Sequence, residues 1–387
     1  MRKLIEEHLQ NVIVPFWMAL KDGKYGGYYG HVGSNLAVHR DADKGLVQQA
    51  RHLYAFARLE NHYKDGRYLP YAETAYRFLK DVMRDASRGG YRWIVSRSGK
   101  TVDDRKVTYG HGFVLYGLAE YYKATQNPAV LAEAIDLFVL IEKTSARANG
   151  GYREEFSVDW QELPARLLTD GIPDAAFSTN TLLHLLEAYS NLLEAVPNET
   201  VADAIHRLIG VFVYQVQNRE TGRFSMYFDQ EFLPIASERS YGHEVEASWL
   251  IARASRLIGV EDPAVDELTR VLGKGVLRDG FNGQSVDYES GPEGNDPTAV
   301  WWVQLEAMIG FYQLYRDEVN QAAKTAAESV FAFALAHLAD KRRGGEWFWS
   351  CDKNGIPNRI RGIAELWKTP YHVVRALVEL MERIDKS

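Results

Sequence analysis

Gly26-Gly27-Tyr28-Tyr29, Gly89-Gly90-Tyr91-Arg92-Trp93 and Gly150-Gly151-Tyr152-Arg153 open a series that runs through the whole chain. Gly222-Arg223-Phe224-Ser225-Met226-Tyr227, Gly280-Phe281 and Gly344-Gly345-Glu346-Trp347-Phe348-Trp349 complete it. The spacing is about 60 residues, a period that signals a repeat architecture. Glycine supplies the tight turn and the aromatic residues suit short strands, so each segment reads as a small hairpin. Between consecutive hairpins, apolar residues recur at three and four positions, the helical signature. The pattern predicts helices over 2–20, 44–64, 68–86, 105–124, 127–143, 176–195, 198–218, 242–258, 262–278, 297–317, 319–340 and 367–385. Pro128 and Pro263 stand near predicted helix starts, where proline is tolerated. Twelve helices make six antiparallel pairs. Six pairs closing in a ring give an all-α (α/α)6 barrel with short β-hairpins on one rim, a single domain spanning 1–387.

The bulk numbers agree with one soluble, folded chain. It has 387 residues, 46% hydrophobic and 25% charged, with a formal net charge of −7. That balance, with no basic block or stripe, gives no footing for a nucleic-acid partner. No stretch approaches the roughly 20 apolar residues of a membrane span. Met1 to Gln10 is charged and amphipathic, without an apolar signal core. Cys351 is the only cysteine. An internal disulfide is therefore excluded and a reducing, cytoplasmic location expected. The 9 Trp and 22 Tyr suit either a large aromatic core or a sugar-binding surface.

In such a ring one helix of each pair lines the interior. The even-numbered helices hold nearly all the unusual polar residues: Arg51, then Tyr109 and His111, then Asn180 and His184, then His243 and Glu246. Trp301, Trp302 and Glu306 follow on the tenth, and Trp367, Tyr371 and His372 on the twelfth. Most lie in the first two turns, and the even helices all run the same way, so these residues converge at one mouth. His243 and Glu246 are three apart on one helix face, a spacing by which Glu246 would orient His243 and raise its basicity. A polar helix start without chemistry would look the same. His and Glu one turn apart can also ligate zinc, but no second His-x-His or His-x-x-x-His cluster accompanies them, so no metal is expected. Asn180 and His184 share a face within a leucine run. Arg51 is either a solvated helix residue or a fixed cation for a developing oxyanion. His372 follows Pro370 at a helix start, where a lowered pKa suits a neutral base. His111 is read as a supporting residue.

Taken together, these residues make the sequence resemble the N-acylglucosamine 2-epimerase superfamily, and its cellobiose 2-epimerase branch most closely. The resemblance is carried by Ala42-Asp43-Lys44-Gly45 with Arg51, by His184-Leu185-Leu186-Glu187-Ala188-Tyr189 and by Ser240-Tyr241-Gly242-His243-Glu244-Val245-Glu246-Ala247. Val300-Trp301-Trp302-Val303-Gln304-Leu305-Glu306-Ala307 and Trp367-Lys368-Thr369-Pro370-Tyr371-His372 extend it across the chain. It implies cofactor-independent inversion at C2 of a reducing-end glucose through a cis-enediolate, on small sugar substrates such as cellobiose and lactose. It assigns His243 and His372 as the acid/base pair, and Arg51 and His184 to the enediolate oxygens. Trp302 and Trp367 would stack on sugar rings, while Tyr109, Asn180 and Glu306 would bond hydroxyls. The chain departs from the family at Tyr54, Thr369 and Val373-Val374. Those departures leave a mannose isomerase or mannose 2-epimerase as the alternative. Two other classes remain open: a glycoside hydrolase using Glu246 and Glu306, and a sugar-binding module without catalysis.

Overall fold

In the computed structural model, which describes residues 1–169, 172–235 and 239–386, the twelve helices form six pairs. The inner helices are α2 (Leu46–Tyr63), α4 (Thr108–Thr125), α6 (Thr179–Ala195), α8 (Tyr241–Ile258), α10 (Trp301–Glu318) and α12 (Pro370–Asp385). The outer ones begin with α1 (Arg2–His8, continued through the π turn Leu9–Ile13 into Val14–Ala19) and α3 (Leu69–Phe78, ending in the π turn Leu79–Met83). They continue with α5 (Pro128–Thr144), α7 (Glu199–Val211 with the π turn Phe212–Val216), α9 (Pro263–Asp279) and α11 (Gln321–Phe333 with the π turn Ala334–Leu338). Each inner helix packs on the next, and α12 packs back on α2, so the interior ring is closed. This is the (α/α)6 barrel.

The inner helices are buried nearly all round through their first three turns, while the outer ones show one apolar stripe. That difference is the physical origin of the pairing: a helix with one stripe can bury it only against a layer that is apolar on both sides. Prolines cap the entries to α5 and α9, with Asn127 and Asp262 accepting from the Ala129 and Ala264 amides. Both are N-cap residue types that satisfy orphan helix donors.

All six Gly-aromatic segments close as turns on the same rim, each paired across its turn: Lys21 with Tyr28, Arg84 with Tyr91, Ala146 with Tyr152, Gln217–Asn218 with Arg223–Phe224, Phe281 with Val286, and Ala339 with Trp347. A second set of pairings links one repeat to the next. The two residues before an inner helix pair with the following repeat: Lys44–Gly45 with Ile94–Val95, Lys106–Val107 with Glu155–Phe156, Phe177–Ser178 with Tyr227–Phe228. Arg239–Ser240 with Ser290–Glu289 and Ala299–Val300 with Cys351–Ser350 continue it, and Ala364 returns to Val32 to close the circle. Five inner helices accordingly begin two to four residues later than their periodicity suggests. Ahead of four of them the last two residues make ladder hydrogen bonds.

Candidate active site

A cavity of about 630 Å³ opens where the inner helices begin. Nine of the ten residues given a catalytic or sugar-binding role from the sequence line it: Arg51, Tyr109, Asn180, His184, His243, Glu246, Trp302, Trp367 and His372. Glu306 does not line it. Their convergence follows from direction alone, since every inner helix presents its first two turns to the same end of the barrel.

Three histidines enter the cavity, each with Nδ1 already engaged. His184 Nδ1 lies 3.0 Å from Glu187 Oε2, His372 Nδ1 lies 2.7 Å from Glu306 Oε1, and His243 Nδ1 lies 2.8 Å from Ser240 Oγ. An ionised carboxylate only accepts, so the two histidines with glutamate partners carry a proton on Nδ1, and His372, once neutral, keeps a lone pair on Nε2. Burial pushes His243 down to about 3 and holds His372 well below the usual imidazole range, with the Arg375 and Arg51 charges adding to the effect on His372. Both are neutral at neutral pH.

Beneath the cavity, Arg375 of α12 joins three helices. Its guanidinium donates to Glu187 Oε1, Glu246 Oε1 and the Tyr371 hydroxyl, and lies 2.7 Å from Glu306 Oε1. Arg375, Glu246 and Glu306 are wholly excluded from solvent. This arrangement corrects two expectations. Glu246 does not hold His243, because Ser240 takes that ring nitrogen and Arg375 takes the carboxylate. Glu306 is consumed by His372, Arg375 and the Trp249 indole at 3.2 Å, which leaves it no route to a sugar hydroxyl. The other Glu246 oxygen, Oε2, is buried without a hydrogen-bond partner, and the residue lines the cavity. Burial, and next the Glu306 charge, raise the Glu246 carboxyl to about 7.

Glu246, Glu306 and His372 also bring donor atoms within 4.8 Å of one another, a cluster the search for paired histidines did not foresee. Arg375 sits on both carboxylates and supplies the positive charge such donors require. The two glutamates share that guanidinium instead of facing each other across a cleft, which is not the disposition of a hydrolase's carboxylate pair.

Aromatic residues shape the walls. The Trp302 ring lies 4.9 Å from His243 and 5.5 Å from His372. Gly242 makes room for it: a Cβ there would stand 2.4 Å from Trp302 Cη2. Arg51 donates to the Tyr109 hydroxyl at 2.9 Å and the Trp367 carbonyl at 3.0 Å, with its guanidinium 4.2 Å from the Phe113 ring centre. Burial pushes the Tyr109 hydroxyl up to about 12. Further out, Tyr227, Tyr288, Glu289, Trp349 and Arg361 frame the mouth. Sequence reading missed these, along with Ser240, Glu187 and Arg375. The signal for the last two was present as His184-x-x-Glu187 and His372-x-x-Arg375, one turn apart on inner helices. His111 is not among the cavity-lining residues: its Nδ1 lies 2.7 Å from the Val107 carbonyl and its Nε2 accepts from the Tyr91 amide at 3.0 Å.

The N-acylglucosamine 2-epimerase (GlcNAc 2-epimerase) family profile matches residues 19–376. A cellobiose 2-epimerase from Dictyoglomus turgidum is 37% identical over 383 residues, 98% of each chain. The solved cellobiose 2-epimerase of Bacillus thermoamylovorans B4167 is 36% identical, covers 99% of both chains and superposes with a TM-score of 0.96. A D-mannose isomerase structure at 19% identity and a TM-score of 0.86 shares the fold.

Proposed function

The chain belongs to the N-acylglucosamine 2-epimerase family, a carbohydrate epimerase of the isomerase class, and from that premise we propose that it inverts C2 of the reducing-end glucose of β-1,4-linked disaccharides, cellobiose and lactose. The observation that carries the reading is the pair of neutral histidines, His243 and His372, set on different helices and both packed near the Trp302 ring, at 4.9 and 5.5 Å. The opened sugar presents an aldehyde. One imidazole Nε2 removes the C2 proton and leaves a cis-enediolate, and a proton delivered to the other face gives the 2-epimer. Arg51 and the Nε2 side of His184 stand where enediolate oxygens would form, fixed before the reaction begins.

Two neutral imidazoles cannot deliver the proton that inversion requires. Glu246 can. A carboxyl at about 7 exchanges its proton readily near neutral pH, and Glu246 lines the cavity. Glu246 is therefore the proton store of the site, serving ring opening or the second histidine. No cofactor takes part in this scheme. The partner is a small sugar; no helix among the described residues is long and apolar enough to cross a bilayer. The lone cysteine, Cys351, is buried and free, in keeping with the cytoplasm.

The departures at Tyr54, Thr369, Val373 and Val374 bear little on substrate choice, because none of them lines the cavity. Tyr54 stacks on Tyr116 with ring centres 4.1 Å apart, and the two valines are core. Cellobiose, lactose and mannose incubated side by side in deuterated water test the reading. Glucosyl-mannose from cellobiose, deuterated at C2, is expected, and His243→Ala and His372→Ala should each abolish the exchange. Turnover of mannose alone would move the chain to the monosaccharide branch, and near-wild-type exchange in either variant would remove the two-histidine scheme.

A further inference from the structure

Arg375 touches no part of the cavity, yet each of its carboxylate partners governs a group that does. Glu187 on α6 holds His184, Glu306 on α10 holds His372, and Glu246 on α8 reaches the cavity itself. One guanidinium therefore ties four of the six inner helices together directly beneath the reacting groups. Its faces are covered by Tyr371, 4.3 Å from the guanidinium carbon, and by Trp249 at 4.9 Å. Water does not reach it.

The charge balance makes this contact decisive. Three carboxylates meet one permanent cation with no solvent to share the load. Unpaired buried carboxylates are costly enough that they take up protons. With Arg375 present, Glu187 is held well below the usual carboxylate range; burial raises the Glu306 carboxyl, and the Arg375 charge and hydrogen bond oppose that rise. Without it, all three would compete for protons. A protonated Glu187 or Glu306 no longer demands a hydrogen on the facing Nδ1. The ring is then free to move its proton to Nε2, the atom that must be bare to act as a base.

We propose, on the two-histidine reading above, that Arg375 is a positioning residue: by bridging Glu187, Glu246 and Glu306 it keeps the carboxylates facing His184 and His372 ionised, and so fixes a proton on Nδ1 of each ring. A lysine cannot replace it, because one ammonium lacks the planar fork that meets three oxygens at once. The groups facing this network are Arg51 from α2, His184 and Glu187 from α6, His243 and Glu246 from α8, Glu306 from α10, and Tyr371 and His372 from α12. Arg51 and Arg375 are its permanent cations, and Arg51 has no carboxylate partner among the described residues to take over the bridging role.

The test uses the full-length protein labelled with ¹⁵N-histidine, in the wild-type, Arg375→Lys and Arg375→Gln forms. In the wild type, the His184 and His372 rings should both carry a proton on Nδ1, as His52 and His111 do against backbone carbonyls, and His184→Ala and His372→Ala single out their two signals. Arg375→Gln should convert both rings to mixed or Nε2–H tautomers. It should lower kcat on the order of 10²-fold with KM little changed, and move the acid limb of the kcat/KM profile to higher pH. Arg375→Lys should show the same changes. Unchanged tautomers and an unmoved pH profile in a folded Arg375→Gln variant would overturn the proposal. If that variant does not fold, Glu306→Gln should alter His372 alone and Glu187→Gln His184 alone; changes in neither ring would overturn it equally. The tautomer readout does not depend on which sugar is turned over, so failure of the epimerase reading is distinguishable from failure of this one.

Discussion

A carboxyl group with no water around it, one shared guanidinium and a second carboxyl alongside keeps its proton, and Glu246 is in that position. Its ordinary value is 4.5 and its surroundings raise it to about 7. The folded state therefore binds a proton that the unfolded chain releases, so stability is fullest at low pH and falls as pH rises from about 4.5 to about 7. Glu246→Gln removes this dependence. The melting temperature of the variant relative to wild type should improve between about pH 5 and pH 8, by an amount worth roughly 3 kcal/mol. A pH-independent difference would show that Glu246 ionises at an ordinary pH and cannot store the proton. The sequence made this residue visible because a glutamate near the start of an inner helix is out of place. It could not show the environment. His243 three residues away was the nearer partner in sequence, while the actual one, Arg375, lies 129 residues on. Arg375 and Glu187 looked like ordinary amphipathic charges, since i, i+3 spacing is shared by solvated helix faces.

Elements are joined on the rim by a device that recurs at the fourth position of an inner helix. Gln49 on α2 brackets the Tyr28 amide and carbonyl at 2.9 and 3.0 Å, and Gln304 on α10 brackets Val286 at 2.8 and 2.7 Å. His111 on α4 accepts from Tyr91, and Glu244 on α8 accepts from Phe224. The hairpin glycines are shaped to these latches. A Cβ on Gly27 would stand 2.7 Å from Gln49 Oε1, and one on Gly90 would stand 2.5 Å from His111 Nε2; both glycines have positive φ. Lys44 with Asp22 at 2.7 Å and Lys106 with Asp85 at 2.8 Å add buried ion pairs between the same elements. The Gly-aromatic period was legible, but its partners were not, because glutamine, histidine and glutamate share an acceptor atom and no sequence pattern. Helix starts were misplaced for a related reason: a two-residue strand is too short to show a period of two. His111→Leu leaves the buried Tyr91 amide unsatisfied and should cost about 1–3 kcal/mol in urea denaturation. C2 exchange per folded molecule should stay close to wild type. A large loss of exchange in the folded variant would place His111 in the chemistry instead.

A closed ring has no intrinsic beginning, and the barrel's closure bears this out in its bonds. Val32 N donates to the Ala364 carbonyl at 2.9 Å and Ile363 N donates to the Val32 carbonyl at 2.8 Å, completing the rim between the last repeat and the first. The Trp347 indole of the sixth hairpin donates to His8 of α1 at 2.7 Å, and α1 serves as the outer partner of α12. At the other end of the barrel, Arg2 reaches Asp385 at 3.1 Å. The order in which the repeats are strung should then matter less than the set of neighbours each one has. A permutant that joins 386 to 1 through a short Gly/Ser linker and opens at Val319 is the direct test. Val319 is exposed and links α10 to α11 in a left-handed turn, so opening there removes little buried backbone. The permutant should refold cooperatively with a modestly lowered midpoint and keep kcat/KM within about threefold of wild type, because every inner-helix start still faces the same mouth. Deletion of residues 1–20 should do the opposite. It uncovers the outer face of α12, the helix that carries both His372 and Arg375, and exchange at C2 should be lost with the fold of that helix. A permutant that folds but does not exchange, beside a deletion that does, would show that chain order and not ring closure sets the site.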